Sequence, residues 1–280
     1  MREERGTFPS FDGLRLAYRL YEKPGSDDLM VICHGHGEHS GRYRKFSDVL
    51  ENENLSIASF DFRGSGLSEG REVYVETLED YLQDLTAYIV FLRGHCKVPV
   101  KVILFGHSLG GLVALHWAMR QQDSLRMLIL SSPCLGLKLP GILRSLNSLL
   151  HRFAPGFLYQ NPVYPPHLSH DPREIEVYKK DGLIKRKMSV RLLSEMLRYM
   201  DLLDEEKTYL FSFPVYVLSA GLEKVVDADK TQKVFESFKT PDKDYRVFDG
   251  FYHEIFNELY QDQAFDALKG YLDRGRKVTA

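Results

Sequence analysis

The stretch Val100-Lys-Val-Ile-Leu-Phe-Gly106-His-Ser108-Leu-Gly110-Gly111 decides how this chain is read. Residues 100–105 are a short, near-continuous apolar run of the kind found in strands buried on both faces, and residues 109–121 carry helical periodicity. Between them stands Gly-x-Ser-x-Gly. A serine on a sharp strand-to-helix turn projects its Oγ above the end of the sheet, and small residues two before and two after it let the backbone crowd together. The same pattern could describe a glycine-rich turn that only packs a helix on a strand, but its place between a strand and a helix favours the chemical reading.

Outward from this turn the pattern repeats. Apolar runs recur at 29–33, 55–60, 125–130 and 215–218, with helical segments over 43–52 and 78–93. Thr77 followed by Asp80 marks a helix start. A last strand is expected at 245–248 and a closing helix at 260–272. Before all of these, Leu14, Leu16, Tyr18 and Leu20 alternate with other residues after the turn pair Asp12-Gly13, a hairpin signal. Strand and helix alternating in this way predict an α/β fold, with a mainly parallel sheet, helices on both faces and an antiparallel hairpin at its entrance. Residues 135–213 break the alternation with Pro140, Pro155, Pro162, Pro165, Pro166 and Pro172 between helical stretches. They read as a helical cap inserted into a core made of 1–134 and 214–280, placed over the strand ends where ligands bind.

Composition bounds the partners. The 280 residues hold 37 Lys+Arg against 39 Asp+Glu, a net charge of -2, so no global field draws the chain to nucleic acid. Cys33, Cys96 and Cys134 are odd in number and widely spaced, which fits neither a disulfide framework nor a paired-cysteine metal motif and suits a reducing compartment. The charged start and the lack of any apolar run of about 20 residues predict a soluble, cytoplasmic protein.

A serine hydroxyl is a weak nucleophile that needs a base within hydrogen-bond reach, and the base needs an orienting acid. On this architecture the chain order is serine, acid, histidine. His253 is the only histidine after His170, and it follows the predicted last strand. The acid should follow the strand at 215–218, where Glu223, Asp227 and Asp229 compete. Asp227 is favoured as the orienter, with Asp229 read as a cap for the following helix. Donors for the developing oxyanion are expected from the backbone N–H of Leu109 and from the loop His34-Gly-His36-Gly37, through the N–H of His36. That loop has a competing reading, because His34, His36, Glu38 and His39 resemble the spacing of a zinc-binding hydrolase motif. Such a site would leave the serine turn unexplained. The glycine-rich loop Asp61 to Gly70 lacks the lysine of a phosphate-binding loop and reads as a structural turn.

Taken in order, His34-Gly-His-Gly-Glu-His-Ser-Gly-Arg-Tyr43, Asp61-Phe-Arg-Gly-Ser-Gly-Leu-Ser-Glu-Gly70, Gly106-His-Ser-Leu-Gly-Gly111, Asp227 and Tyr252-His253-Glu254 resemble the monoacylglycerol lipase and lysophospholipase group of the α/β-hydrolases. The resemblance implies a triad of Ser108, Asp227 and His253, an oxyanion hole at His36 and Leu109, and a polar pocket end formed by Glu38, Arg42 and His107. It also implies a cofactor-free, metal-free enzyme that cleaves esters of single-chain lipids. A general carboxylesterase and a non-catalytic binding protein of the same fold are the alternatives. Two departures stand out: a small residue is usual where His36 stands, and a histidine where Ser65 stands. Within the cap, Ile142, Leu146, Leu149, Leu150 and Phe153 recur at helical spacing. This face is expected to pack inward on the sheet domain; the alternative is a lid that lines the acyl channel and touches a membrane surface.

Overall fold

A computed structural model describes residues 1–26, 28–95, 101–160, 163–203 and 207–278. Cys96, Val100 and Pro162 lie outside the described residues. In chain order the elements begin with the hairpin β1 (Arg2–Pro9) and β2 (Arg15–Glu22), then β3 (Asp28–Cys33), α1 (Arg44–Val49), β4 (Leu55–Phe60), α2 (Glu79–His95), β5 (Val102–His107), α3 (Leu109–Arg120) and β6 (Leu125–Ser131). The next segment carries α4 (Gly141–Phe153), β7 (Leu158–Gln160), α5 (Pro172–Lys180), β8 (Lys187–Ser189), α6 (Val190–Asp201) and β9 (Tyr209–Leu210). The chain then returns through β10 (Val215–Ala220), α7 (Ala228–Glu236), β11 (Phe238–Lys239), β12 (Lys243–Phe248) and α8 (Asp262–Val278).

Among the described residues, eight strands form one sheet in the order β1-β2-β4-β3-β5-β6-β10-β12. β1 pairs antiparallel with β2, and β2 antiparallel with β4. Every other pair in the sheet is parallel. The apolar runs are buried throughout because both faces are covered. Successive residues serve opposite cores: Val31 and Leu104 join one cluster with Leu85, Tyr88 and Leu112, while Ile32 and Phe105 join the other with Phe46, Phe256 and Phe265. That alternation is the strand period of two at work on a sheet with no solvent face.

β3, β5, β10 and β12 run parallel, so the loops that leave their carboxyl ends gather at one edge of the sheet. His34, Ser108, Glu223 and His253 all lie in those loops. The segment between β6 and β10 lies against them. α6 belongs to the main core through Leu192, Met196 and Leu197, and buried His116 of α3 donates from Nε2 to the carbonyl of Tyr199 at 3.0 Å. α4 does not join that core. Ile142, Leu149 and Phe153 are 79%, 58% and 74% exposed, which overturns the expected inward packing. The reason is occupancy: α6 already covers the sheet side, and α4 sits outside it, holding on through Asn147, whose Nδ2 donates to Ser194 Oγ at 2.7 Å.

Candidate active site

Ser108 has φ 51° and ψ −119°, a conformation that costs a residue with a Cβ and persists only where the surroundings enforce it. Here the enforcement is close packing. A Cβ on Gly106 would lie 2.5 Å from the Gly110 carbonyl oxygen and 2.8 Å from Ala114 Cβ, and one on Gly110 would overlap the Cys33 carbonyl. The serine's own N–H donates to Ser131 at 3.1 Å and its carbonyl accepts from Cys134 at 2.9 Å, which pins the turn to the end of β6. Burial pushes the Cys134 thiol pKa upward, so it is not a competing nucleophile at neutral pH.

His253 is buried, and its Nδ1 lies 2.8 Å from Glu223 Oε2. A carboxylate accepts, so Nδ1 carries the hydrogen and Nε2 is left with a lone pair. The other Glu223 oxygen accepts from the N–H groups of Val225 at 2.7 Å and Val226 at 3.2 Å. Burial alone would raise the Glu223 pKa and lower that of His253. Their mutual charge and hydrogen bond outweigh it, so Glu223 is held below the usual carboxylate value and His253 above the usual imidazole value.

The expected assignment of Asp227 as orienter is therefore corrected. Asp227 is the N-cap of α7, accepting from Lys230 N at 3.2 Å, with Lys138 Nζ 3.8 Å away. Asp229, the expected cap, instead pairs with Lys138 at 2.9 Å on the surface. The signal that separates them was local. Asp227 stands immediately before a helix, where a short carboxylate satisfies free backbone donors, and Glu223 stands three residues beyond the strand end.

The N–H groups of His36 and Leu109 make no hydrogen bond among the described residues. The loop that carries His36 passes directly over the serine, since a Cβ on Gly35 would be 3.3 Å from Ser108 Cβ. No hydrogen bond joins Ser108 Oγ to His253 among the described residues, and contacts of this kind tighten when substrate binds. His107, next to the serine, has its ring centroid 4.9 Å from that of His253.

Glu38, Arg42 and His107 do not line the cavity that reaches Ser108, contrary to expectation. They build a buried polar network beside His253. Arg42 makes a two-pronged contact with Glu254, both distances 2.7 Å, and reaches Glu38 at 2.9 Å. Tyr43 donates to Glu38 at 3.0 Å, and His107 Nδ1 faces the Ser131 carbonyl at 3.1 Å. These groups border a separate void of about 20 Å³, room for a single water. Glu254 follows His253 in the chain, and no spacing in the sequence points to its partner Arg42. Burial would raise its pKa, yet Arg42 holds it at about 2.

The space above Ser108 is a cavity of about 550 Å³. Leu143, Leu146 and Leu150 of α4, Phe157, Met188, and Leu193 and Met196 of α6 give it an apolar wall. Its polar lining includes His36, Ser108, His167, Glu223 and Lys224. The segment between β6 and β10 is bonded to the loops that carry His36 and His253: Lys185 N donates to the Gly37 carbonyl at 2.8 Å, Glu254 N to the Leu168 carbonyl at 2.8 Å, and His39 Nε2 meets Asp181 at 2.8 Å. The three imidazoles of the 34–39 loop go separate ways, since His34 Nε2 accepts from Phe62 N at 2.9 Å and His36 Nε2 faces the Lys187 carbonyl at 3.0 Å.

A family model described as serine aminopeptidase, S33, matches residues 25–260. Phospholipase YtpA of Bacillus subtilis is 30% identical over 88% of this chain and 95% of its own length. Monoglyceride lipase of Homo sapiens is 27% identical over 89% of this chain and 82% of its own. The crystal structure of Paleococcus ferrophilus monoacylglycerol lipase superposes with a TM-score of 0.81 at 27% identity, covering 98% of this chain and 100% of that one.

Proposed function

Because this chain belongs to the serine aminopeptidase S33 family and has the α/β-hydrolase fold, we propose that it hydrolyses carboxylic esters of single-chain lipids, a monoacylglycerol or a lysophospholipid. The observation that carries this reading is the strained Ser108 at the floor of an apolar cavity of about 550 Å³, which also reaches the Glu223 that holds His253. A cavity of that size and lining suits one acyl chain. The phospholipase and monoglyceride lipase relatives support the same substrate class.

In the reaction, His253 Nε2 takes the Ser108 proton as Oγ attacks the ester carbonyl. The oxyanion that forms is met by the N–H groups of His36 and Leu109, backbone donors of the kind that stabilise a developing negative charge. Glu223 keeps the imidazole in the right tautomer and stabilises its charged form. The imidazolium then gives its proton to the departing alcohol, leaving an acyl-Ser108 ester. Water, deprotonated by the same histidine, releases the fatty acid. No cofactor enters these steps.

The exposed apolar row of α4, Ile142, Leu149 and Phe153, adjoins the cavity wall and is the surface by which the enzyme would meet a lipid aggregate. Among the described residues no helix is long and apolar enough to cross a membrane. The test is labelling by a fluorophosphonate probe together with turnover of a long-chain monoacylglycerol. Both should vanish in Ser108→Ala with the melting temperature unchanged, and retention of most turnover in that folded variant would overturn the reading.

A further inference from the structure

His36 lines the cavity beside Ser108, and one of its ring nitrogens is already committed. Nε2 lies 3.0 Å from the carbonyl oxygen of Lys187 in β8. A carbonyl oxygen only accepts, so Nε2 carries the hydrogen. Burial pushes the imidazole pKa down to about 4, so near neutrality the ring is uncharged. Nδ1 then bears a lone pair. It hydrogen-bonds to no described residue, and it is not among the sealed buried polar atoms either. His36 is half-buried and lies on the cavity lining, within reach of a bound ligand. Among the described residues the one carboxylate lining that cavity, Glu223, has its oxygens taken by His253, Val225 and Val226.

We propose that Nδ1 of His36 is a specificity-determining acceptor for a hydroxyl of the leaving alcohol, so that the enzyme favours glycerol esters over simple alkyl esters of the same acid. The proposal rests on the ester-hydrolase reading of this site. A neutral acceptor beside the reacting serine matches the hydroxyl a glycerol ester carries next to the scissile bond. It repels a phosphate or carboxylate oxygen at the same place, so any anionic head group must lie farther out. The partner that fixes the tautomer comes from the cap, so the acceptor is presented only while β8 sits over the 34–39 loop.

The experiment compares kcat/KM for 1-monooleoylglycerol and ethyl oleate in the same detergent micelles. The wild-type enzyme should prefer the glycerol ester by about tenfold. His36→Phe keeps the bulk and removes both nitrogens, and it should lose about three- to tenfold on the glycerol ester, mainly through KM, the span of one neutral hydrogen bond. Ethyl oleate has no hydroxyl to donate, so its kcat/KM should fall less than that of the glycerol ester; the ratio of the two, which cancels any disturbance of the oxyanion donor on the same residue, should drop by about three- to tenfold. His36→Ala, which cannot overpack, should show the same split. Equal losses on both esters would reduce His36 to a latch for the cap and overturn the proposal, as would no loss on either. Absence of turnover of both esters by the wild-type enzyme would instead overturn the hydrolase reading beneath it.

Discussion

Glu223 and Asp227 differ by four positions and one methylene, yet they do unrelated work. Glu223→Gln removes the charge that fixes the His253 tautomer and should lower kcat by about 10⁴ with little change in melting temperature. Asp227→Asn removes a helix cap and should cost about 1 kcal/mol of stability while leaving kcat nearly intact. Paired kinetics and thermal melts of the two variants check the assignment, and the opposite pattern would restore Asp227. Burial would lower the His253 pKa, and the His107 ring beside it adds no favourable charge, but the charge and hydrogen bond of Glu223, with the charges of Glu254 and Glu38, hold it above the ordinary imidazole value. Since the base must be neutral, kcat/KM should rise with pH through a midpoint above 6.5. In Glu223→Gln the residual activity should show that midpoint at lower pH, because the carboxylate that favours the charged ring is gone. At this scale the sharp turn at Ser108 and the place of His253 in the loop beyond the last strand were legible from the glycine spacing and from the order of residues along the chain. The acid was not, because a sequence names carboxylates without saying which way each points.

Helix α4 shows the same limit at the next scale. Its period was plain in Ile142, Leu146, Leu149, Leu150 and Phe153, but the direction of that face depended on whether another element already covered the sheet, and α6 does. The outcome is a divided helix, with Leu146 and Leu150 walling the cavity while Ile142, Leu149 and Phe153 face out. Replacing Leu149 and Phe153 with Ser should therefore leave the melting temperature within about 1 °C, in contrast to the roughly 2 to 5 kcal/mol lost when a buried leucine is truncated. Hydrolysis of monoacylglycerol in vesicles should fall several-fold, while a short soluble ester is turned over as before. A parallel loss on both substrates would show that the row contributes to folding and not to lipid contact.

Across the whole molecule, the strands of the sheet were legible because buried parallel strands read as uninterrupted apolar runs. Their order was not, since crossover helices let sequential strands land apart, as β4 does on the outer side of β3. The buried network around Arg42 was equally hidden, for it joins residues more than two hundred positions apart. It has a pH signature. Glu254 is held at about 2 against 4.5 in the open chain, so its stabilising contribution is complete above 4.5 and is lost as pH falls toward 2. Glu254→Gln should flatten the decline of melting temperature over that interval, and an unchanged slope would show that Arg42 does not discriminate between the two protonation states. The bonds that tie Lys185 to Gly37, Asp181 to His39 and Leu168 to Glu254 bear on how such enzymes can diversify. A cap grafted from a relative would arrive without its partners on the 34–39 and 252–254 loops, so selectivity and reaction machinery are inherited as one unit, and an exchange of caps succeeds only when those two loops travel with it.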